Sequence, residues 1–577
     1  MKKRYVTMVI LLAFISLAVL ILLPSSVNAE TTGSGSCGRD LTWVLDGSGT
    51  LIISGTGQMY DYAYERGAPW SPYRAYIKSV VIEEGVTSIG EFAFHECREL
   101  TEVSIATTVQ DIGLGAFYWC EGLKQVVIPA GVTSISESAF LCCKSLERVD
   151  LPSSLTVIED SAFHDCESLR QITFPQGLTT IGPNAFSYCY GLTEVRIPDS
   201  VTSLGICAFS QCTALELVSI GSGITELPER LFEDCTALTS VTMSKNVTAI
   251  GEWMFANCES LERIDLPQGL QSIGSRGFFG CKKLKELIIP ESVTKIGALA
   301  FMKCESLVSM VIPSGVTYLA PGLFSNCSSL REVTLPEGIP GIRFSTFHYC
   351  KSLTKIHIPE SVTYIENHVF QGCTSLVEVV IPDQVTSIGV SAFKDCSKLA
   401  SVVIPASLTE IQGSAFYGCK NLWHVLYKGT EAQWKEIAIA SGNTRLKDAT
   451  RHDECTGQEV ESSYIAEPTC TQNGSISFSC SLCGKRTKGF VVDATGHCFE
   501  KGTCVHCGEF NGELGDVNGD GKIDTTDAKL IMQYDLGLIG EDALILEAAD
   551  VNGDGKIDTT DAKLIMQLDL GLITKFS

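Results

Sequence analysis

Apolar positions between residues 77 and 427 follow a pattern that repeats every 23 residues. Each repeat holds a Phe, a Cys three residues later and a Leu three residues after that, and fifteen repeats run in step from Phe94 to Leu422. A Leu-x-x-Val-x-Ile segment follows, and its period of two predicts a short strand with Val and Ile facing inward. Pro stands directly after many of these segments, as in Ile128-Pro129, and should end the strand because it lacks a backbone donor.

A single repeat of 23 residues has too few apolar side chains to bury a core by itself. Stacked repeats bury one another, because each constant position then lies beside its counterpart in the next repeat. The pattern therefore predicts a repeat solenoid with a short strand in every coil. Rows of Phe, Leu and Cys side chains should fill its interior.

The repeat cysteines, Cys97 to Cys419, raise four alternatives: reactive thiols, metal ligands, disulfides or small buried apolar side chains. The repeat places no imidazole or basic side chain beside them at a constant position, so nothing favours a reactive thiolate. We expect a structural role in which each thiol fills one interior slot. Cys142 and Cys207 lie outside this row, and the pattern predicts no role for them.

The N-terminus predicts secretion. The basic residues Lys2, Lys3 and Arg4 precede an apolar run over residues 6–23, and Val27-Asn28-Ala29 has the small residues expected before a cleavage site. An uncleaved membrane anchor is the alternative, because the run approaches spanning length. We predict that residues 1–29 are a signal peptide and that the mature chain is extracellular, with no membrane span.

The charge balance excludes one class of partner. Among 577 residues, 67 are acidic and 43 are Lys or Arg, which gives a formal net charge of −24. Such a surface repels phosphate backbones, so we do not expect nucleic-acid binding.

The constant residues of the repeat, Phe-x-x-Cys-x-x-Leu-x-x-Val-x-Ile-Pro, resemble the BspA-type leucine-rich repeat, a class common on bacterial surfaces. The resemblance covers residues 77–427. Residues 30–76, which include Cys37-Gly38, look like the N-terminal cap of such arrays, and residues 428–454, with Gln433-Trp434, look like the C-terminal cap. Caps are also expected physically, because terminal coils need a polar outer face.

Residues 455–510 lose the period and contain seven cysteines. Two Cys-x-x-Cys pairs, Cys480 with Cys483 and Cys504 with Cys507, stand twenty residues apart, which is the spacing of a zinc ribbon with four thiolate ligands. Disulfides are the alternative, because the chain is predicted to be secreted. Either cross-link would stabilise a segment that is too small for a good core.

A twelve-residue pattern rich in oxygen side chains occurs twice near the C-terminus, 34 residues apart. Positions 1, 3, 5, 9 and 12 carry Asp or Asn and position 6 is Gly, as in an EF-hand calcium loop, where position 7 contributes its backbone carbonyl. We therefore predict two calcium ions. The predicted ligands are Asp516, Asn518, Asp520, Lys522, Asp524 and Asp527 in the first loop, and Asp550, Asn552, Asp554, Lys556, Asp558 and Asp561 in the second. Lys522 and Lys556 would contribute only their carbonyls.

Two departures from ordinary EF-hands point to a family. Position 12 is Asp rather than Glu, and Gly512 and Gly515 precede the first loop in place of an entering helix. A loop followed only by its exiting helix resembles the dockerins, and the resemblance covers residues 511–577. It implies binding to a cohesin module of a scaffoldin or a cell-surface anchor, as in a cellulosome. The residues it assigns to cohesin contact are Thr525, Thr526, Lys529, Met532 and Gln533, with Thr559, Thr560, Lys563, Met566 and Gln567.

Together these features predict a non-catalytic secreted protein. No repeating position carries a catalytic constellation, so we expect the solenoid to bind a protein or a polysaccharide. The alternative is a dockerin-bearing carbohydrate-active enzyme, or a carbohydrate-binding module, with its activity in the repeats or in the Cys-rich segment.

Overall fold

The computed structural model describes one long continuous part of the chain and several shorter ones. The described residues are 31–454, 460–466, 474–481, 490–492, 499–500, 503–504, 514–518, 522–536, 538–540, 544–552, 556–569, 572–573 and 575. The predicted signal peptide, residues 1–29, lies outside them. Among the helices of the described residues, none combines the length and the apolar character that crossing a bilayer requires.

Three antiparallel strands open the described chain: β1 (Thr31–Ser36), β2 (Gly38–Asp46) and β3 (Thr50–Met59). β3 also pairs in parallel with Ser79–Ile82, so this sheet continues directly into the repeats. Trp70 precedes a 3-10 helix over Ser71–Tyr76, is buried, and donates from Nε1 to the carbonyl of Ala93 at 2.8 Å. Trp70 thus covers the apolar end of the first coil.

The Val-x-Ile segments form a row of parallel strands that we call the long-strand sheet. Partners in neighbouring coils are 23 residues apart, as in the pair Val195 and Val218, except in the last pair, where His424 lies beside Thr450. Val195 is buried and Arg196 is exposed, so the predicted alternation is confirmed. The strands of this row are Ser79–Ile82, Glu102–Ile105, Gln125–Val127, Arg148–Asp150, Glu194–Ile197, Leu217–Ile220, Ser240–Thr242, Ser309–Val311, Glu332–Thr334, Glu378–Val380, Ser401–Ile404, His424–Tyr427 and Thr450–His452.

A second parallel row, the short-strand sheet, was not predicted from the sequence. It is formed by the segment that follows the long strand of each coil, Val-Thr-x-Ile after a Pro in most repeats, and most of its strands are only two residues long. Its strands are Val86–Ile89, Asp111–Ile112, Ser134–Ile135, Val157–Ile158, Thr180–Ile181, Ser203–Leu204, Glu226–Leu227, Ala249–Ile250, Ser272–Ile273, Lys295–Ile296, Gly341–Ile342, Tyr364–Ile365, Ser387–Ile388, Glu410–Ile411 and Ala438–Ile439. The chain is thus a β-solenoid, as the repeat predicted.

The interior is built from one stacked Phe and one thiol per coil. Phenylalanine rings from Phe94 to Phe416 stack on one another, with 5.1–6.0 Å between the centroids of neighbours. The repeat cysteines, Cys97 to Cys419, are buried and free of disulfides. The predicted structural role of this cysteine row is therefore confirmed.

A tight turn precedes each cysteine of the row. Trp119 and Asp165 stand at this position with φ of 59° and 60°, in the left-handed region that disfavours side chains other than glycine. Their backbone N–H groups donate to the carbonyls of Leu141 and Ser187 in the next coil, at 2.8 Å in both cases. Hydrogen bonds between coils therefore hold the strained turn in place.

Two short helices close the array, α1 (Glu431–Glu436) and α2 (Thr444–Asp448). Thr430 and Gln433 form a capping box at the start of α1. Trp434 on α1 lies 5.1 Å, centroid to centroid, from the buried Tyr427 ring at the end of the last full coil. This segment therefore covers the second apolar end of the solenoid.

The C-terminal part contains five short strands and three helices among the described residues. Val460–Ala466, Gly474–Cys480 and Phe490–Val492 form an antiparallel sheet, and Phe499–Glu500 pairs with Thr503–Cys504. The helices are α3 (Thr525–Asp535), α4 (Leu546–Ala549) and α5 (Thr559–Asp569). These strands do not by themselves establish a compact Cys-rich module, whereas the helices agree with the predicted loop–helix repeat.

Candidate functional site

Asp527, at position 12 of the first acidic loop, lies fully buried beneath that loop. Its Oδ1 accepts hydrogen bonds from the backbone N–H groups of Val517 at 3.0 Å and Asn518 at 3.2 Å, and its Oδ2 accepts one from Asp524 at 3.0 Å. Burial raises the pKa of Asp527, the three N–H bonds lower it in part, and the charge of Asp516 raises it further. One carboxylate thus joins positions 2, 3 and 9 of the loop to α3.

The second loop repeats this arrangement. Asp561 is fully buried and accepts N–H bonds from Val551 at 3.0 Å, Asn552 at 3.2 Å and Asp558 at 3.0 Å. The two copies therefore share their local geometry as well as their sequence.

Position 9 of each loop starts the helix that follows. Oδ1 of Asp524 accepts the N–H of Thr526 at 2.7 Å, and Oδ1 of Asp558 accepts the N–H of Thr560 at the same distance. These backbone hydrogen bonds hold the pKa values of Asp524 and Asp558 below their ordinary range. Each aspartate is an N-cap that fixes the direction in which the helix leaves its loop.

The two halves share one small apolar core. Val517 and Val551 from the loops and Ile531 and Ile565 from the helices are all buried in it. The N–H of Ile545, just before α4, donates to the carbonyl of Val517 at 2.8 Å, which links the first loop to the segment preceding the second. The core contains side chains from both copies, so each half needs the other to bury its apolar side chains.

The donor set suits a hard divalent cation. Asp516 and Asp527 are both buried, and the charge of one raises the pKa of the other. Two neighbouring buried carboxylates are stabilised by a cation, and oxygen donors are the ligands that calcium prefers. In the part of the chain that the structure describes, no group of three His, Cys, Asp or Glu side chains is placed to hold a metal, and Asp520 and Asp554 lie outside that part. The ligand set and the number of ions therefore stay predictions.

The residues assigned to cohesin contact all lie on the outer surfaces of α3 and α5. The Thr pairs and both lysines are exposed, Met532 is 41% exposed and Met566 39%, and Gln533 and Gln567 are partly exposed. The two faces have the same pattern of exposure. They consist of Thr525, Thr526, Lys529, Met532 and Gln533 on α3, and of Thr559, Thr560, Lys563, Met566 and Gln567 on α5.

One equivalent pair of exposed side chains, beyond the ends of α3 and α5, escaped the sequence analysis. Leu538 and Leu572 occupy the same position in the two copies, and each is 69% exposed. The signal was a Leu-Gly-Leu tripeptide repeated after both helices, in residues 536–538 and 570–572. The equivalence of the two copies therefore extends beyond the ends of the helices.

The predicted zinc site stays a prediction. Cys480 ends the strand Gly474–Cys480, and Cys504 ends the strand Thr503–Cys504. Cys483 and Cys507 lie outside the described residues. The choice between zinc and disulfides therefore stays open here.

A capped parallel β-solenoid, followed by a duplicated loop–helix unit with buried aspartates, defines the class of leucine-rich-repeat proteins that carry a docking module. The chain belongs to the family described as BspA type leucine rich repeat region, whose model matches residues 73–193, 179–308 and 294–423. A second family model, described as Dockerin type I domain, matches residues 514–568. Both resemblances named from the sequence are confirmed.

The chain is also similar to solved structures of bacterial proteins. A leucine-rich repeat protein from Bacteroides ovatus is 29% identical, with a TM-score of 0.54, over 72% of this chain and 98% of that one. A leucine-rich repeat protein from Eubacterium ventriosum is 26% identical, with a TM-score of 0.37, over 67% of this chain and 95% of that one. No curated protein matches the chain.

Proposed function

We propose that this chain is a secreted, non-catalytic interaction protein that a calcium-dependent dockerin attaches to a cohesin. The cohesin would belong to a scaffoldin or a cell-surface anchor, in a complex of the cellulosome type. The solenoid would then present its outer surface to an extracellular protein or polysaccharide. The observation that carries this proposal is the pair of equivalent exposed faces on α3 and α5, each fixed to an acidic loop by a buried aspartate.

Calcium would supply the positive charge that keeps the acidic loops closed. Each loop would hold one ion through the side-chain oxygens at positions 1, 3, 5, 9 and 12 and through the carbonyl of Lys522 or Lys556. The backbone N–H bonds to Asp527 and Asp561 already orient both position-12 carboxylates. Binding of the metal and formation of the contact faces should therefore be coupled.

The repeats support an interaction role because their outer positions vary while their inner positions are constant. Exposed positions of the long-strand sheet hold side chains as different as Arg196, Val127 and Glu332. Variable outer residues on a constant frame are typical of repeat proteins that bind partners. The alternative, a carbohydrate-active enzyme or carbohydrate-binding module in the repeats or the Cys-rich segment, has no specific observation in its favour among the described residues.

Capture by cohesins tests the proposal directly. The purified full chain is passed over a panel of immobilised cohesins in calcium and again in a chelator. We expect at least one cohesin to retain the chain in calcium and to release it in the chelator. Retention that is insensitive to the chelator would contradict the calcium role, and no retention by any cohesin would contradict the docking role.

A further inference from the structure

Cations and aromatic rings alternate along the edge of the solenoid that carries the turns around each interior Phe. The guanidinium groups of Arg230 and Arg276 lie over the ring of Trp253, with Cζ at 4.8 Å and 4.4 Å from its centroid. The Trp253 ring lies 5.9 Å from that of Phe279, and Nζ of Lys303 lies 5.2 Å from the Phe279 centroid. We call these five residues the basic–aromatic row.

The repeat does not require these side chains. Arg230, Trp253 and Arg276 occupy one repeating position, and the same position holds Cys207 one coil earlier and Leu299 one coil later. The fold therefore accepts uncharged and smaller side chains there. In a repeat protein, neighbouring coils can carry side chains that differ from those at the same position elsewhere and that the fold does not require. Such side chains are candidates for contact with a ligand.

The row carries uncompensated positive charge. Arg230 is neutralised by Glu233, whose two carboxylate oxygens accept from Nη1 at 3.0 Å and 2.8 Å. Arg276 and Lys303, by contrast, form no ion pair with any acidic side chain in the described part of the chain. The nearby Lys282, in contrast, is neutralised by an ion pair in which its Nζ lies 2.7 Å from Oε1 of Glu259. Two unpaired neighbouring cations on a chain with a net charge of −24 create a local site for an anion.

The chemistry of the row favours carboxylates. Trp253 is covered by a guanidinium from each neighbouring coil, so its ring is not free to stack on a ligand. Stacking leaves the N–H edge of a guanidinium free, and this edge matches a carboxylate in a bidentate manner.

The arrangement of the row favours a linear polymer. Successive coils are spaced by ~4.8 Å, so the cations follow one another along the solenoid axis. A folded acidic protein would also face the negative remainder of the surface, whereas a thin chain can contact the row alone.

We propose that the basic–aromatic row binds the carboxylates of a uronic-acid polysaccharide that lies along this edge of the solenoid. The proposal rests on the proposed role of the repeats as an interaction surface, and it names the class of ligand.

The test uses the full chain and an oligogalacturonate of defined length, with its methyl ester as the uncharged probe. Binding is measured by calorimetry for the parent chain, for the double variant Arg276→Gln with Lys303→Gln, and for a control, Arg263→Gln with Lys295→Gln. The control removes the same charge from two exposed cations outside the row, in coils of the same region. All three chains keep identical calcium loops, so any difference between them reports on the solenoid.

We expect the acid to bind and the ester not to bind. Affinity for the acid should fall about tenfold in the row variant, through the loss of the charge contacts of the half-buried Arg276 and the exposed Lys303, and stay unchanged in the control. Equal affinity of the row variant and the parent chain, equal binding of the ester, or no binding of the acid would each overturn the proposal. Stronger binding of an acidic peptide or of single-stranded DNA at the row would also overturn it.

Cohesin capture of the same samples separates this inference from the docking proposal. Both double variants should be captured like the parent chain, because neither changes the tail. If uronate binding is absent while capture is normal, the polysaccharide inference fails and the docking proposal stands. If capture is absent while uronate binding is normal, the docking proposal fails and the polysaccharide inference stands.

Discussion

At the scale of single residues, burial sets the chemistry of the cysteine row. The thiol of Cys120 donates to the carbonyl of Phe94 at 3.1 Å, and the same bond recurs in each later coil up to Cys419. Burial raises the pKa of Cys212 from its ordinary 9.0 to about 12. Each thiol therefore acts as a small apolar side chain with one weak donor, and not as a nucleophile.

This burial predicts a loss of stability in alkaline solution. The unfolded thiols ionise near their ordinary pKa of 9.0, whereas folded Cys212 keeps its proton up to about 12. The contribution of Cys212 to stability is therefore complete below pH 9.0 and is lost as the pH rises toward 12. We expect the free energy of unfolding of Cys212→Ala to fall less steeply with pH over this range than that of the parent chain. The two slopes should differ by about 1.4 kcal/mol per pH unit, the contribution of one ionising group. Urea unfolding at a series of pH values measures the slope.

The partly exposed Cys207 supplies the control for this measurement. Burial also raises the pKa of Cys207, but this side chain lies outside the buried row. Cys207→Ala should therefore change the slope less than Cys212→Ala does. Equal slopes for the two variants would show that the buried row does not set the alkaline limit.

At the scale of structural elements, the stacked phenylalanines join each coil to the next. Phe255 lies between Phe232 at 6.0 Å and Phe278 at 5.4 Å and is fully buried. Stacked rings at this distance contribute both apolar burial and a favourable ring–ring contact. A single ring in the middle of the row therefore stabilises two interfaces between coils.

We expect Phe255→Ala to lower the free energy of unfolding by about 3–5 kcal/mol, because it removes a large side chain from a packed interior. The matched control is Phe344→Ala, since Phe344 stands on the surface and is 48% exposed. Its effect should stay within about 1 kcal/mol. Urea denaturation followed by circular dichroism measures both, and similar losses in the two variants would argue against the stacked row as the stabilising element.

The two loop–helix units predict two equivalent modes of cohesin binding. From Asp516 to Ile539 and from Asp550 to Ile573, the two copies differ only at Tyr534 and Leu568. Replacement of both Thr525 and Thr526 by Glu should leave an intact face on α5 and nearly full affinity. Replacement of both Thr559 and Thr560 by Glu should leave an intact face on α3 and nearly full affinity. Only the variant that carries all four replacements should lose binding to cohesin. Calorimetry against one cohesin measures all three.

The outcome of this experiment distinguishes two faces from one. If a variant in a single half loses binding as completely as the combined variant, then only that half contacts the cohesin. Far-UV spectra in calcium serve as the control, because each variant must keep its helices for the comparison to hold.

The repeat made the solenoid, the Phe row and the cysteine row predictable, because a constant spacing must produce constant neighbours. The short-strand sheet was missed because strands of two residues, such as Ser134–Ile135, are too short to show an alternation. The turns were missed because residues such as Trp119 occupy left-handed positions where glycine is the expected signal. In the tail, the oxygen pattern predicted the loops but not the three backbone N–H bonds to Asp527, which depend on how the loop closes over the helix.

At the scale of the whole molecule, the two large apolar cores of the described residues are separate from each other. The core of the solenoid runs from Cys37 to Leu446, and that of the tail from Val517 to Ile565, with no side chain common to both. The smaller core holds only a few buried aliphatic side chains, and it lies directly beneath the acidic loops. Stability should therefore divide into two parts that respond to different conditions.

We expect calorimetry of the full chain to show two unfolding transitions. A chelator should lower or abolish only the transition of the tail, because metal binding adds to the folding free energy of the small core. The transition of the solenoid should keep its midpoint within experimental error. A single transition, or a solenoid transition that moves with calcium, would contradict the independence of the two cores.

The constant register between coils also determines which changes of length the chain can tolerate. Every strand pair from Ser79–Ile82 to His424–Tyr427 joins residues 23 positions apart, so removal of one whole coil leaves each remaining Phe, Cys and Leu beside its usual neighbour. Removal of a single residue instead displaces every side chain of its coil relative to the coils on both sides. The array can therefore gain or lose length only in steps of one coil, and unequal crossing-over between repeats would extend or shorten the surface while both ends stay closed.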